Sequence, residues 1–403
     1  MKIAHINMTH NGSTGRIMLQ IADTVRQAGH EAKTYAPMIF SRVKKQPPLM
    51  QPGHYTWGTL AESAIHYYAG SFLGINGMLS RSGTKRLLQD LDSFQPDVIH
   101  LHNLHNFCVN LPMLFRYIKR NRIKVVWTLH DCWSFTGHCP HFVMAGCEKW
   151  KTGCYSCPSH RSYPRSYVDD SRRMYRAKKR WFTDVENLTL VTPSQWLADL
   201  TRQSFLGCYP VKVIHNGIDL SVFRPVENDF KIRHQCAEQK LILGVAFGWS
   251  NRKGLDVFKQ LAERLDSDKY RIVLVGTDER IDRELPANIL SIHRTASQQE
   301  LAELYTAADV LVNPTREDTF PTVNMEALAC GTPVITFRSG GSPEIPDETC
   351  GTVVAVDDVD AMEREILRVC TQTPYSTEAC LKRARQFDMD EKFREYTELY
   401  EAL

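Results

Sequence analysis

Short apolar runs, rich in β-branched residues, alternate along the chain with segments in which apolar residues recur at helical spacing. After the first run, for example, Ile17, Ile21, Val25 and Ala28 fall on one face of a helix. Such alternation is typical of parallel sheets with crossover helices. It occurs once before about residue 215 and again after it, which predicts an α/β chain of two Rossmann-like domains. The predicted strands lie in KIAHINM, PDVIHLHN, KVVWTLH, TLVTPS, VKVIHNG, LILGVAFG, YRIVLVG, ADVLVNPT and GTPVITF.

A glycine-containing turn follows the first strand of each predicted domain, at Asn11–Arg16 and at Trp249–Gly254. Each turn leads into a helical pattern, so its backbone N–H groups lie at a helix N-terminus, where anions bind readily. We place the domain boundary near Ile214–Asp219, where a strand ends in the turn Asn216–Gly217. The N-terminal domain then covers residues 1–214 and the C-terminal domain residues 215–388.

The last helical pattern, over residues 389–403, has an apolar face made by Phe393, Tyr396, Leu399 and Tyr400. That face has to be buried, and the sequence leaves open which domain covers it. Packing back onto the N-terminal domain is one solution.

The composition changes this picture little. The 403 residues are 43% hydrophobic and 24% charged, which is ordinary for a globular enzyme of two domains. No apolar run reaches the roughly 18 residues of a membrane-spanning helix, and the first residues do not resemble a signal peptide, so we expect a cytoplasmic protein. The net charge of +3 is too small to indicate nucleic acid as a partner.

The distribution of charge is more informative than its sum. Between Arg161 and Phe182, eight basic residues stand against two aspartates, with aromatic residues interleaved. This mixture suits an anionic membrane surface or a phosphate-bearing acceptor, and it equally fits a solvated helix face. A membrane contact would make the protein peripheral on the inner face of the membrane. The aromatic segment Ala61–Leu88 is expected to cover the acceptor site or a lipid surface, or to pack in the core.

The candidate chemistry is concentrated between Asn313 and Ile335, where an acidic loop precedes a short helix. The helix should begin near Pro321 and end at Gly331, because proline favours the first turn and glycine the end. A diphosphate could bind the first free N–H groups, and a carboxylate one turn further in could reach a pair of ribose hydroxyls.

The chain resembles, over nearly its whole length, the retaining glycosyltransferases of family 4, in which two Rossmann-like domains face a cleft (GT-B). Within that family it is most similar to bacterial exopolysaccharide enzymes of the colanic-acid type. The matching segments are Gly12–Arg16, His100–Asn103, Trp127–Asp131, Trp150–Cys154, Thr192–Ser194, Asn216–Asp219, Lys253–Gly254, Tyr305–Asp309 and the Glu326 helix.

The resemblance implies that a hexose moves from a UDP- or GDP-sugar to a saccharide acceptor, which we expect to be lipid-linked, in polysaccharide biosynthesis. Retention needs no dedicated nucleophile, since the leaving phosphate can take the acceptor proton on the same face. No Asp-x-Asp segment accompanies the acidic helix, so we expect catalysis without a metal or other cofactor.

The resemblance also implies roles for single residues. Lys253 would hold the diphosphate, with Arg252 in place of the family's usual arginine, and Glu326 would hold the ribose. His130 would line the reaction centre as a catalytic residue. The acid that contacts the sugar is either Asp318, eight residues before Glu326, or the preceding Glu317. The expected donor-binding set is Gly15, Arg252, Lys253, Arg294, Phe320, Pro321, Thr322, Val323 and Glu326, and the expected acceptor set is Arg16, His102 and Asn103.

Five of the twelve cysteines lie between Cys132 and Cys157. The spacing Cys154-x2-Cys157 is that of a zinc knuckle, and together with Cys139 and Cys147 it predicts a structural zinc site. Ordinary buried thiols are the alternative, while a reducing compartment disfavours disulfides.

Other interpretations remain open. His100, His102 and His105 could bind a metal, but they are better explained as cleft-lining residues or as partners of backbone groups. Ser194 is expected to cap a helix.

A nucleotide-sugar epimerase of the same fold and a non-catalytic saccharide-binding scaffold are the alternative functions. A nicotinamide dehydrogenase would need a Gly-x-Gly-x-x-Gly turn, which neither glycine turn provides.

Overall fold

The computed structural model describes residues 1–39, 53–105 and 109–403. It divides into two compact units, which we call unit 1 (Met1–Ile214 with Phe393–Leu403) and unit 2 (His215–Lys392). Each unit is built on a sheet whose strand pairs are all parallel, so the predicted α/β class is confirmed.

Unit 1 contains a seven-stranded sheet in the order β3-β2-β1-β4-β5-β6-β7. Its central strands are buried on both faces, as parallel strands between helical layers must be. The strands are β1 (Lys2–Ile6), β2 (Glu31–Pro37), β3 (His54–Trp57), β4 (Val98–Leu101), β5 (Lys124–Thr128), β6 (Leu188–Thr192) and β7 (Val211–Val213). The helices are α1 (Gly12–Gln27), α2 (Leu60–Leu73), α3 (Arg81–Phe94), α4 (Leu111–Asn121), α5 (Ser171–Phe182) and α6 (Gln195–Gln203).

Unit 2 contains a six-stranded sheet in the order β10-β9-β8-β11-β12-β13. The strands are β8 (Lys240–Val245), β9 (Tyr270–Val275), β10 (Ile289–Ile292), β11 (Val310–Asn313), β12 (Val334–Phe337) and β13 (Gly351–Val354). The helices are α7 (Phe230–Arg233), α8 (Leu255–Arg264), α9 (Glu279–Asp282), α10 (Gln298–Ala307), α11 (Thr322–Ala329), α12 (Val359–Gln372) and α13 (Thr377–Ala384), followed by α14 (Met389–Glu401), which continues into unit 1.

Both sheets reverse their strand order beside the first strand, between β1 and β4 in unit 1 and between β8 and β11 in unit 2. At such a point the two connections leave the sheet toward opposite faces and open a crevice at the carboxyl ends of the strands. The loops after these four strands are therefore where a ligand site is expected.

Particular residues fix the helix starts near these loops. α1 begins at Gly12, which has a φ of 77°. A Cβ on Gly15 would lie 2.4 Å from the carbonyl carbon of His10, so this glycine lets the helix pack on the preceding loop. α11 starts after Pro321 and ends before Gly331, as predicted. Ser194 caps α6 by accepting a hydrogen bond from the backbone N–H of Leu197, also as predicted.

The predicted apolar face of the C-terminal helix is buried. Phe393, Tyr396, Leu399 and Tyr400 are all at most 4% exposed, and residues from Phe393 onward belong to unit 1. The Tyr400 hydroxyl hydrogen bonds to His100 of β4 at 2.6 Å. The C-terminal helix therefore packs within unit 1, together with strands from the N-terminal part of the chain.

Not every residue of the basic segment lies on the surface. Lys178 is fully buried and donates hydrogen bonds to the carbonyl oxygens of Trp133 at 2.7 Å and Thr136 at 3.1 Å. Burial lowers the pKa of Lys178 to about 7. Trp181 and Phe182 are buried in the core of unit 1. Within the ranges described above, no helix combines the length and the apolar character needed to cross a membrane.

Candidate functional site

In unit 2, the loops after β8 and β11 are joined by an ion pair. Lys253 ends a short 3-10 turn, and its Nζ donates a hydrogen bond to Oδ2 of Asp318 at 2.5 Å. Arg252 donates from Nη1 to the carbonyl oxygen of Glu317 at 2.9 Å, and its own carbonyl accepts from the N–H of Arg316 at 2.9 Å. The two loops are therefore held together at the point where the strand order reverses.

Packing of the backbone sets the position of Lys253. Gly254 has a φ of 77°, and a Cβ there would lie 2.5 Å from Pro314 of the loop after β11. Arg316 adds a fork of two hydrogen bonds to Asp256 of α8, at 2.7 and 2.8 Å. Arg316 is not among the residues predicted from the sequence, although its place in the acidic loop is a signal.

The two candidate acids have different surroundings. The side chain of Glu317 is buried, whereas that of Asp318 is about one-fifth exposed beside Lys253. The carbonyl of Asp318 accepts a hydrogen bond from the N–H of Gly341 at 3.1 Å, and Gly340 approaches it so closely that a Cβ would clash. The loop after β12 therefore fixes Asp318 as well.

The first turn of α11 carries the next part of the site. Thr322 and Val323 are partly exposed, and one turn further Glu326 accepts a hydrogen bond from the Tyr305 hydroxyl at 2.8 Å. Burial, with the Glu326 charge beside it, raises the pKa of Tyr305 well above its usual value. Tyr305 consequently stays protonated and orients Glu326.

Two further residues predicted to bind the donor, Phe320 and Arg294, have surroundings different from those of the first turn of α11. Phe320 is 3% exposed and stacks on His215 with ring centroids 4.8 Å apart, so its side chain is part of the packing of unit 2. Arg294 is exposed and follows the edge strand β10, which β9 separates from β8.

In unit 1, polar residues meet at the carboxyl ends of β1, β4 and β5. The N–H of Asn103 donates to Oδ1 of Asn7 at 3.2 Å, and its side-chain amide donates to Asp131 at 3.3 Å. His105 Nε2 lies 2.9 Å from the same carboxylate. Burial would raise the pKa of Asp131, but His105 and other neighbours lower it to about 2. Asp131 was not predicted from the sequence to be a partner of His105, although it directly follows His130.

A row of buried histidines lies beneath these residues. His102 connects His5, at 3.5 Å, to His130, at 3.1 Å. His100 is bonded at its two ring nitrogens to the hydroxyls of Tyr400, at 2.6 Å, and Thr128, at 2.8 Å. Burial lowers the pKa of His130 to about 4 and that of His5 to about 3, so these rings are neutral at pH 7.

The described residues contain one group with three potential metal-ligand atoms within 4.8 Å of one another, formed by His5, His100 and His102. Because both nitrogens of His100 already have hydroxyl partners, hydrogen bonding accounts for this group. The four cysteines at 139, 147, 154 and 157 form no such group, and the Sγ of Cys154 accepts from the N–H of Gly137 at 3.1 Å. As placed, the thiols do not fit a tetrahedral zinc site, and the predicted zinc is not supported.

Comparison with known proteins identifies the family. Residues 14–222 match the model of Glycosyltransferase Family 4, and residues 239–372 match that of Glycosyl transferases group 1. The first match alone covers more than half of the chain. The chain belongs to glycosyltransferase family 4. The predicted resemblance is thereby confirmed.

Relatives of this family 4 chain include a protein of Escherichia coli (strain K12) named for colanic acid biosynthesis as glycosyl transferase WcaC. It is 27% identical over 66% of this chain, and the match spans 65% of its own length, just under two thirds. An uncharacterized 41.2 kDa protein from the cps region of Klebsiella pneumoniae is 24% identical over 76% of this chain and 79% of its own.

Solved structures show the same fold. Sucrose-phosphate synthase of Thermosynechococcus elongatus aligns with a TM-score of 0.72 and 17% identity, covering 100% of this chain and 98% of its own. Alr3699/HepE of Anabaena, solved in complex with UDP, aligns with a TM-score of 0.68 and 15% identity over 100% of both chains. These similarities establish the GT-B fold.

Proposed function

We propose that this family 4 protein transfers a hexose from a UDP- or GDP-sugar to a saccharide acceptor, with retention of the anomeric configuration. We further propose that the acceptor is lipid-linked and that the reaction serves polysaccharide biosynthesis. The observation that carries the proposal is the Lys253–Asp318 pair, which lies beside α11 at the strand-order reversal of unit 2.

In the proposed donor complex, Lys253 and Arg252 bind the diphosphate, together with the N–H groups of Thr322 and Val323. The diphosphate has to displace the Asp318 carboxylate from Lys253, which frees Asp318 for the hydroxyls of the sugar. Glu326, oriented by Tyr305, accepts hydrogen bonds from the ribose. The solved Anabaena protein contains UDP, and in another structure UDP-glucose, which supports a donor of this class.

The chemistry then depends on charge at the departing phosphate. As the anomeric C–O bond breaks, negative charge grows on the diphosphate, and the two fixed cations with the α11 N-terminus stabilise it. The leaving phosphate takes the acceptor proton, so no protein nucleophile is required. Because protein groups supply the positive charge, we propose that turnover needs no cofactor and survives a chelator.

For unit 1 we propose that neutral His130 hydrogen bonds to the transferred sugar, while Arg16 and Asn103 serve the acceptor. His102 is fully buried and its Nδ1 lies 3.1 Å from His130. We therefore assign it to the orientation of His130 instead of direct contact with the acceptor, which revises the sequence prediction.

The test is a calorimetric panel of UDP-, GDP-, ADP- and dTDP-sugars on the full chain. One base should bind, and Lys253→Ala should weaken that binding at least about tenfold, since a charged hydrogen-bond partner is lost. Lys259→Ala is the matched control, because this lysine of α8 pairs with Glu284, away from Asp318. Glu326→Gln should weaken binding of the nucleoside diphosphate, whereas Glu303→Gln on α10 should not.

Turnover of the donor, followed by NMR of the product anomer, tests the rest of the proposal. An inverted product would contradict retention. Binding without transfer or hydrolysis of any donor would favour the saccharide-binding scaffold, and interconversion of the sugar without transfer would favour an epimerase.

A further inference from the structure

Helix α2 exposes apolar side chains and buries polar or small ones. Ile65 is 65% exposed and Phe72 57%, with Tyr68 between them on the same side of the helix, whereas His66 and Gly70 are buried. A surface helix of a globular protein normally has the reverse arrangement. Contiguous exposed apolar side chains of this kind mark an interaction site.

The apolar face of α2 continues into the segment before α5. The ring of Tyr167 stacks on Phe72 with centroids 5.1 Å apart, and its backbone N–H donates to the carbonyl of Ser71 at 2.8 Å. Tyr167 and Val168 are each about half exposed. The two segments therefore present one apolar surface held by backbone hydrogen bonds.

Arginine side chains border this surface. The guanidinium of Arg165 lies 4.8 Å from the centre of the Tyr167 ring. Along α5, a groove of about 440 Å³ is lined by Arg172, Arg173, Arg176 and Arg180, with Asp169, Asp170 and Ala177.

The two aspartates neutralise only part of the groove, because four arginines line it. Asp170 pairs with Arg173 at 2.6 Å, and Asp169 accepts from the backbone N–H groups of Cys157 and Ser171. A Cβ on Gly74, at the end of α2, would lie 2.6 Å from Asp170. The start of α5 thus packs directly on the end of α2, and the basic groove adjoins the apolar face.

We propose that this α2–α5 surface, comprising Ile65, Phe72, Tyr167, Arg165, Arg172 and Arg176 with their neighbours, docks on a bilayer that contains anionic lipid. The apolar side chains enter the boundary of the acyl chains while the arginines bind headgroup phosphates. A second copy of the chain fits less well, because a symmetric contact would set arginines against arginines. The inference deepens the proposed function, since it would bring the enzyme to a lipid-linked acceptor.

Co-sedimentation of the full chain with vesicles tests this directly. Vesicles of phosphatidylcholine with about one third phosphatidylglycerol should bind the protein at least tenfold more strongly than pure phosphatidylcholine, at about 0.1 M salt. Higher salt should weaken the binding, because headgroup charge is then screened. Equal or absent binding to the two vesicles would overturn the proposal.

Two double variants separate the apolar and basic parts. Arg172→Ala with Arg176→Ala should reduce binding to anionic vesicles about 25-fold, from about fivefold for each arginine. Ile65→Ser with Phe72→Ser should reduce it at least about tenfold. The matched controls are Arg364→Ala and Ile232→Ser, which replace exposed side chains of unit 2 and should change binding less than about twofold.

Light scattering tests whether a second copy of the chain, instead of a bilayer, covers this surface. A dimer that the Ile65→Ser, Phe72→Ser variant abolishes, with vesicle binding unchanged, would overturn the proposal in favour of self-association. Donor binding is measured separately in solution. Loss of vesicle binding with donor binding intact therefore rejects this inference alone, and the opposite result rejects only the proposed function.

Discussion

At the scale of single residues, we propose that the Lys253–Asp318 pair controls how the proposed donor site is filled. The pair is mostly shielded from solvent, so each charge depends on the other while no diphosphate is bound. A diphosphate offers Lys253 a replacement partner and leaves Asp318 available for another. In the proposed donor complex the same carboxylate would compete with the nucleotide for Lys253 and would then contact the sugar.

This competition predicts that removing the Asp318 charge strengthens the binding of a free nucleoside diphosphate. Asp318→Asn removes the competing charge, so free UDP or GDP should bind about fivefold more tightly, corresponding to roughly 1 kcal/mol, while turnover falls. Titration calorimetry and steady-state rates measure the two effects. Glu317→Gln is the control, because it neutralises the adjacent buried carboxylate and keeps the Lys253–Asp318 salt bridge in place. Weaker nucleotide binding in Asp318→Asn would contradict the assignment.

At the scale of elements, short turns between strands and helices decide where the site residues lie. Gly254 and Gly340 both have positive φ and both pack against the loop after β11, which carries Asp318. Their positions could be recognised as turns from the sequence, but their contacts could not. A close approach between two loops depends on which strands are neighbours in the sheet, and β8 and β11 are neighbours only because the strand order reverses there.

Gly254 tests this argument at the level of one turn. Gly254→Ala should cost about 1–3 kcal/mol of stability, because it combines an unfavourable φ with a Cβ only 2.5 Å from Pro314. It should also weaken donor binding by moving Lys253. Gly248→Ala is the matched control, since Gly248 has a φ of 87° and free space for a Cβ. Denaturant melts and donor titration of both variants measure the difference, and equal losses would refute the packing argument.

At the scale of the whole molecule, unit 1 is assembled from both ends of the chain, and its core contains neutral histidines. His100 on β4 is hydrogen bonded to Tyr400 of α14, three hundred residues further along. The sequence predicted that α14 has an apolar face, and the structure shows where that face is buried. Six of the seven tryptophans lie in unit 1, which makes its unfolding measurable by fluorescence.

The buried histidines predict how stability depends on pH. Their pKa values in the folded state, about 3 for His5 and about 4 for His130, lie below the unfolded value near 6.5. Below pH 6.5 the unfolded chain binds more protons, so stability should fall by about 1.4 kcal/mol per pH unit for each such histidine until the folded pKa is reached. Tryptophan-monitored urea melts at several pH values between 7.5 and 5 measure this loss. A midpoint that stays constant over this range would contradict the burial of neutral histidines.

The sequence by itself determined nine of the thirteen strands of the described residues, the glycine turns, the Pro321–Gly331 helix and the family, while β2, β3, β10 and β13 were not predicted. These features are local, because periodicity and turn residues act through neighbouring backbone positions. Tertiary structure alone decided that Asp318 pairs with Lys253, that Lys178 is buried, that four histidines form a row, and that α2 exposes its apolar side chains. The first three depend on partners far away in the sequence, which only the packing of sheets and helices brings together. The last depends on the absence of an element that covers α2 among the described residues.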